Sequence, residues 1–213
     1  VNSVRPIIEA LERAHSHFNA TLFGGRLTTC PVITVQTRGR KQALGWYSRA
    51  QWVNGAGTPA ELNISAEDLK RAALDVLLTL AHEMVHQWAD ERHVKDCSRN
   101  GRYHNRQFAR LATEAGLSAP SEPDKRLGFS AVTWGPEGSR GRLAVDGLVS
   151  TVEPALVLAR AILPGKPSKG RMLLYVCECE PPYKVRCGKS DLNATCNVCE
   201  GAFVLAQPPG GGR

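Results

Sequence analysis

The stretch LAHEMVHQW, residues 80–88, constrains the fold more than any other part of the chain. Leu69, Ala72, Ala73, Val76, Leu77, Leu80, Met84 and Trp88 recur at the spacing of a helix that buries one face. No Gly or Pro interrupts residues 65–100, and Ser65 with Asp68 offers a start like a capping box. So apolar a helix belongs in a core, yet it carries His82, Glu83 and His86 in its middle. Residues four apart on a helix stand one above the other, roughly 5–6 Å apart at Cβ. His82 and His86 can therefore turn their imidazoles to one ion, and zinc accepts nitrogen at about 2.0–2.1 Å. Glu83 lies roughly 100° round the helix from His82. From there it can face the ion's open position, where a carboxylate takes a proton from water. Such an arrangement suits attack on a peptide carbonyl.

Two imidazoles do not complete a site, and three schemes compete for the third ligand. The longer pattern HExxHxxGxxH needs Gly at 89 and His at 92, but Ala89 and Arg92 stand there and His93 falls one place late. A carboxylate from a following helix would be Glu114. A histidine at the start of that helix would be His104, in RYHNRQF. The spacing of Phe108, Leu111, Ala112 and Ala115 predicts this helix over about 104–115, with Gly116 beyond its end. Folded back antiparallel, it brings His104 beside the pair, so His104 is the preferred ligand. His93 is then a loop residue at the end of the first helix, and His15 and His17 belong to the surface or the core edge.

Cysteines mark a second candidate centre. Of seven, Cys177, Cys179, Cys187, Cys196 and Cys199 crowd into YVCECEPPYKVRCGKSDLNATCNVCEGAF. An odd total and this crowding favour metal over a disulfide framework. Cys177 with Cys179 or Cys187, joined by Cys196 and Cys199, can set four thiolates tetrahedrally around a structural zinc. So short a segment has almost no apolar core, and metal would supply its folding energy. Lys184, Arg186 and Lys189 form a basic strip here, and Tyr175 and Tyr183 are candidates for stacking on bases, with core packing the plainer role. Cys30 and Cys97 are expected to be buried thiols.

The remaining sequence supplies the frame. The first residues, VNSVRPIIEALERAHSHF (1–18), pattern as an amphipathic helix with Ile7, Ile8, Leu11, Ala14, His15 and Phe18 on one side. PVITVQT (31–37), ALGWYSRAQWVN (43–54) and ELNISA (61–66) read as strands, the last at a sheet edge. Residues 118–142 are rich in Pro, Gly and Ser and read as loop, EPALVLARAIL (153–163) as a helix, LPGKPSKG (163–170) as a linker and QPPGGGR as a flexible tail. Hydrophobic residues make up 42% of the 213, enough for a globular chain, and no apolar run approaches the roughly 20 residues of a membrane span. The first residues lack the pattern of a secretory signal, so a cytoplasmic location is expected. A net charge of +7 permits weak association with nucleic acid through phosphates, and equally describes a solvated basic surface.

Taken in order, HFNATLFGGRL (17–27), ALGWY (43–47), HEMVH (82–86), His104 followed by Asn105 and Phe108, and a terminal cysteine module resemble the SprT-like (Spartan-type) family of zinc metalloproteases. The match covers roughly 1–130 and 172–205, and Asn105 replaces the family's usual Gly. The resemblance implies an α+β fold, a small β-sheet packed on helices with an HExxH active-site helix, plus a small C-terminal zinc ribbon. It implies His82, His86 and His104 as ligands of a catalytic zinc and Glu83 as general base. Its CxC-like first pair favours Cys177, Cys179, Cys196 and Cys199 as ligands of a structural zinc, leaving Cys187 spare. Substrates in the better known members are proteins crosslinked to DNA. The expected organisation is a protease domain over 1–130, a connecting segment over 131–171, a zinc ribbon over 172–206 and a tail over 207–213. The expected activity is that of a monomeric zinc metalloendopeptidase acting on protein substrates, DNA-associated ones included. The competing readings are a non-enzymatic, zinc-containing nucleic-acid-binding adaptor and a different zinc hydrolase such as an amidase.

Overall fold

A computed structural model describes residues 2–37, 43–55, 57–162 and 172–206. The expected linker 163–170 and tail 207–213 lie outside the described residues. The chain divides into two compact units, Val1–Ile162 and Leu163–Arg213, and its mixture of helices and small sheets fits the coarse expectation of an α+β protein.

In the first unit, helix α1 (Arg5–Thr21) starts with a proline in its first turn and buries Ile7, Ala10, Leu11, Ala14, His15 and Phe18. Strands β1 (Val32–Gln36), β2 (Gly45–Ser48) and β3 (Glu61–Ser65) form a sheet of order β1-β3-β2, parallel between β1 and β3 and antiparallel between β2 and β3. The strand expected at an edge is thus the centre, and all five of its residues are buried. Most of its polar side-chain atoms find partners: β1 donates to Glu61 and Asn63 and Ser65 Oγ donates to Ala43 O at 2.5 Å, while Asn63 Nδ2 is buried without a partner among the described residues. Thr34 Oγ1 and Gln36 Nε2 donate to Glu61 Oε1 at 2.7 and 2.5 Å, and Gln36 N donates to Asn63 Oδ1 at 2.8 Å.

Helix α2 (Ala73–Glu91) is the axis of the unit. It begins later than the pattern from Ser65 predicts. Residues Ala66–Asp68 form a 3₁₀ turn, and Ala72 is extended at φ −55° and ψ 143°. Arg71 closes this corner by donating to Asp68 O at 3.1 Å, Asp75 O at 3.3 Å and Thr79 Oγ1 at 2.9 Å. Val76, Leu77, Leu80, Ala81, Met84 and Val85 are fully buried against α1, β3 and the following helix. The hairpin β4 (Cys97–Ser98) and β5 (Tyr103–His104) precedes helix α3 (Arg106–Glu114). Asn105 caps α3, accepting from Gln107 N and Phe108 N at 2.7 and 3.3 Å.

Residues 131–162 are not the expected connecting segment. Helix α4 (Arg140–Val152), capped by Ser139, packs on α1 and α2 and adds Ala144, Val145, Leu148 and Val152 to the core. The helix expected over 153–163 shrinks to one 3₁₀ turn, Glu153–Ala155.

The second unit holds a three-stranded antiparallel sheet of order β7-β6-β8, from β6 (Leu173–Val176), β7 (Lys184–Cys187) and β8 (Val204–Leu205). Among its described residues only Tyr175, Cys177 and Cys196 are buried.

Candidate metal centre and cleft

Two elements bring the three histidines together. His82 and His86 project one turn apart from α2, and His104 arrives from β5, a two-residue strand just ahead of α3 rather than from the helix itself. His82 Nε2 lies 3.0 Å and His86 Nε2 3.1 Å from His104 Nε2. Phe108, fully buried, packs its ring 4.6–4.9 Å from all three imidazoles and closes the site from beneath.

The other ring nitrogens bear on what the cluster could hold. His86 Nδ1 is 2.5 Å from Asp96 Oδ2, and His104 Nδ1 is 3.2 Å from the Leu127 carbonyl oxygen. Each of these acceptors takes an Nδ1–H, so both rings present a bare Nε2 to the other. Lone pairs aimed at one another at 3.1 Å repel unless a cation lies between them. Two nitrogen ligands of a tetrahedral zinc sit about 3.3 Å apart, given bonds of 2.0–2.1 Å. The donor set therefore fits a zinc ion in chemistry and in spacing. Burial pushes His82 well below the usual histidine range and His104 down to about 4, which favours the neutral, ligating form. In His86 burial also lowers the pKa, but the Asp96 hydrogen bond and the Glu83 and Asp96 charges outweigh it and raise the value.

Glu83 is 6% exposed and borders the same cleft. Burial lifts its carboxyl to about 7, against the opposing pull of His86 and of the Tyr47 backbone N–H that donates to it. A carboxylate so held is matched to exchanging a proton near neutrality. Strand β2 approaches α2 closely enough to make this contact because Gly45 has no side chain. A Cβ there would sit 2.7 Å from Asn63 O and 2.9 Å from Thr79 Cγ2. Tyr47 also donates its hydroxyl to Asp90 Oδ2 at 3.0 Å, and Arg49 pairs with the same carboxylate.

The cleft encloses about 770 Å³. Its floor is the polar face of α2 from Asp75 through Thr79, Glu83 and His86 to Asp90, its walls β2 and residues 127–132. Trp46 lines it, whereas Trp52 is 42% exposed and does not.

The other candidates lie elsewhere. Glu114 faces Arg26 and Arg92 at 3.2 and 3.4 Å. His93 is exposed in the left-handed region, φ 53°, past the end of α2. His15 is buried with Nε2 2.9 Å from Gln87 Oε1, and His17 Nε2 is 2.9 Å from Ala144 O. Cys30 is exposed rather than buried, its neighbours Thr28 and Thr29 being held outward on Glu91, and Cys97 is half-buried at the cleft. Asp96 and Leu127 escape sequence reasoning. Asp96 has a weak local signal, a carboxylate ten residues past His86, and a backbone carbonyl has none.

In the second unit the sulfurs of Cys177, Cys179, Cys196 and Cys199 lie within 4.8 Å of one another and could hold a metal ion. Cys179 Sγ is 3.8 Å from Cys196 Sγ. Thiolates on a tetrahedral zinc at about 2.3 Å stand about 3.8 Å apart, so the set fits zinc. Backbone N–H groups of Cys199 and Val198 donate to Cys196 and hold its thiol down to about 7, while burial and the neighbouring thiols push Cys179 up to about 12. Cys187 stays outside the cluster and accepts from Lys189 N at 3.4 Å. Tyr175 is buried with its hydroxyl on Lys189 O, and Tyr183 is exposed.

Comparison with protein-family models, with curated proteins and with solved structures finds no match to this chain. No helix among the described residues is long and apolar enough to cross a membrane.

Proposed function

We propose that the chain is a zinc-dependent metalloendopeptidase of the SprT-like type its ordered motifs resemble. The observation that carries this reading is the convergence of His82 Nε2 and His86 Nε2 to within 3.1 Å of His104 Nε2, with Glu83 buried beside them in an open cleft. Zinc bound there would polarise a scissile carbonyl and acidify water. Asp96 and the Leu127 carbonyl hold the tautomers of His86 and His104 that such binding needs. Glu83, steadied by the Tyr47 N–H, accepts a proton from water and returns it to the leaving amine.

The cleft favours a polypeptide over a small amide. Asp75 and Asp90 are fifteen residues apart on α2, about 22 Å at 1.5 Å per residue. An extended chain covers that length with about seven residues, at about 3.3 Å each. Glu83 and the histidines stand in the middle, so the substrate has room on both sides, as an endopeptidase requires. Proteins bound or crosslinked to DNA are the proposed substrates, supported by the resemblance and by the +7 charge. The second zinc, on the four cysteines, is structural in this reading.

The deciding experiment measures zinc per chain and cleavage of a protein substrate with and without single-stranded DNA, for the natural chain and for Glu83→Gln. Two zincs, cleavage stimulated by DNA, and its loss in Glu83→Gln with zinc retained are expected. Cleavage that survives in Glu83→Gln removes the peptidase reading. A DNA-binding function untouched by that change, with no cleavage by either chain, leaves the zinc-holding adaptor.

A further inference from the structure

We infer that the turn Asp124–Gly128 is a cradle for His104, and that Gly128 and Asp124 are positioning residues for the metal centre; the inference rests on the zinc reading above. His104 arrives on a strand of two residues, which by itself fixes little. Three hydrogen bonds from the turn and its next residue complete its placement. The Leu127 carbonyl accepts from His104 N at 3.0 Å and from His104 Nδ1 at 3.2 Å, and Phe129 N donates to His104 O at 3.0 Å. Backbone and ring of the ligand are thereby gripped by one carbonyl group. Rotation of the ring breaks the second of these bonds, so the same oxygen sets both tautomer and direction.

Only glycine permits that approach. Gly128 has φ +68°, and a Cβ on it would lie 2.0 Å from His104 O, 2.9 Å from His104 C and 3.1 Å from His104 N. All three are backbone atoms of the ligand residue, so no side-chain adjustment relieves the overlap. Alanine at this position has to push His104 away from its partners on α2.

The turn is braced from within. Asp124 Oδ1 accepts from Arg126 N at 2.8 Å and Leu127 N at 2.7 Å, while Asp124 and Gly128 exchange both backbone bonds at 2.9 Å. Arg99 Nη1 ties its outer side by donating to Lys125 O at 3.0 Å. Asp124, Lys125, Arg126 and Leu127 are exposed, so these residues do not serve the core. Asp124 touches no ligand, and its effect on the centre passes through the carbonyl of Leu127.

The test uses the full-length chain as Gly128→Ala, Asp124→Ala and Asp124→Asn, with His104→Ala as the reference for a broken site. Zinc affinity at the histidine centre is measured by chelator competition, the cysteine centre acting as an internal control. The visible absorption of the cobalt-substituted protein reports the geometry of the ion. Gly128→Ala is expected to weaken zinc on the order of 10–100-fold and to change the cobalt bands, with circular dichroism and the cysteine zinc retained. Asp124→Ala is expected to weaken it less, and Asp124→Asn, which still accepts in the turn, to restore it. Should Gly128→Ala fail to fold, the Asp124 pair decides. Natural affinity and natural cobalt bands in the folded variants overturn the cradle while leaving the zinc reading intact. A natural chain that holds zinc only on its cysteines, as His104→Ala does, overturns both.

Discussion

His15 is the residue at which burial has the plainest thermodynamic consequence. It is 5% exposed on α1, opposite Gln87, and burial lowers its pKa against the raising effects of the Gln87 hydrogen bond and of Glu91. The unfolded chain binds a proton at this site below about pH 6.5, whereas the folded chain refuses it. Stability is therefore fully present above that value and falls as the pH drops from there toward the folded pKa. One proton gives a slope of at most about 1.4 kcal/mol per pH unit. Urea denaturation of the natural chain and of His15→Gln at pH 7, 6 and 5 should show a shallower fall in the variant, and parallel falls would contradict the assignment. Asp96 carries the companion prediction at the metal centre. Asp96→Asn leaves a hydrogen bond to His86 but no negative charge behind its Nδ1–H. Zinc affinity at the histidines is expected to drop about 10-fold or more with the fold unchanged, read by the same chelator competition. These residues also mark the limit of what a sequence discloses. The pair His82 and His86 is legible because a spacing of four is a local property of any helix. His104 is legible by type, its element is not, and Asp96 and the Leu127 carbonyl gain their roles only from tertiary contact.

Among the elements, α4 contributes most that the pattern hides. Its sequence, RGRLAVDGLVSTV, has glycines at 141 and 147 and follows a Pro- and Gly-rich run, so turn chemistry masks its periodicity. The face it buries is supplied by others. Phe18 of α1 and Trp134 place their rings 5.5 Å apart, and Ala144, Val145, Leu148 and Val152 belong to the same core. If α4 is part of the core, Leu148→Ala should cost about 2–3 kcal/mol, toward the lower end for a leucine that is 9% exposed. An equilibrium urea titration measures this, and a shift below about 0.5 kcal/mol, the ordinary range for a surface change, would return 131–162 to the status of a connecting segment. Strand β3 is hidden for a related reason. ELNIS alternates polar and apolar residues as an edge strand does, but the side-chain oxygens of Glu61 and Asn63 accept from Thr34 and Gln36 on β1. Alternation records polarity, and only the neighbouring strand decides whether polarity means solvent.

At the scale of the whole molecule, the two units obtain their stability from different sources. Val1–Ile162 has a continuous apolar core running from Ile7 to Val152. The described part of the second unit buries only Tyr175, Cys177 and Cys196, and it exposes Met172, Val198, Val204 and Leu205 at half or more of their surface. Apolar burial on that scale does not by itself offset the conformational entropy of ordering the segment. Zinc on four thiolates contributes about 10–16 kcal/mol in small finger modules, and a metal held by these cysteines would close the loop between the two cysteine pairs. The sheet β7-β6-β8 should accordingly stand or fall with its metal while the helical unit does not. Cys196→Ser removes one buried ligand without touching the first unit. In that variant, limited proteolysis should cut within 172–206 and leave a resistant fragment ending near 162, and the far-ultraviolet helix signal should persist. Equal resistance of 172–206 in the natural and Cys196→Ser chains would mean that this unit is held by something other than a metal on its cysteines. Loss of the helix signal along with it would mean that the units are one cooperative body.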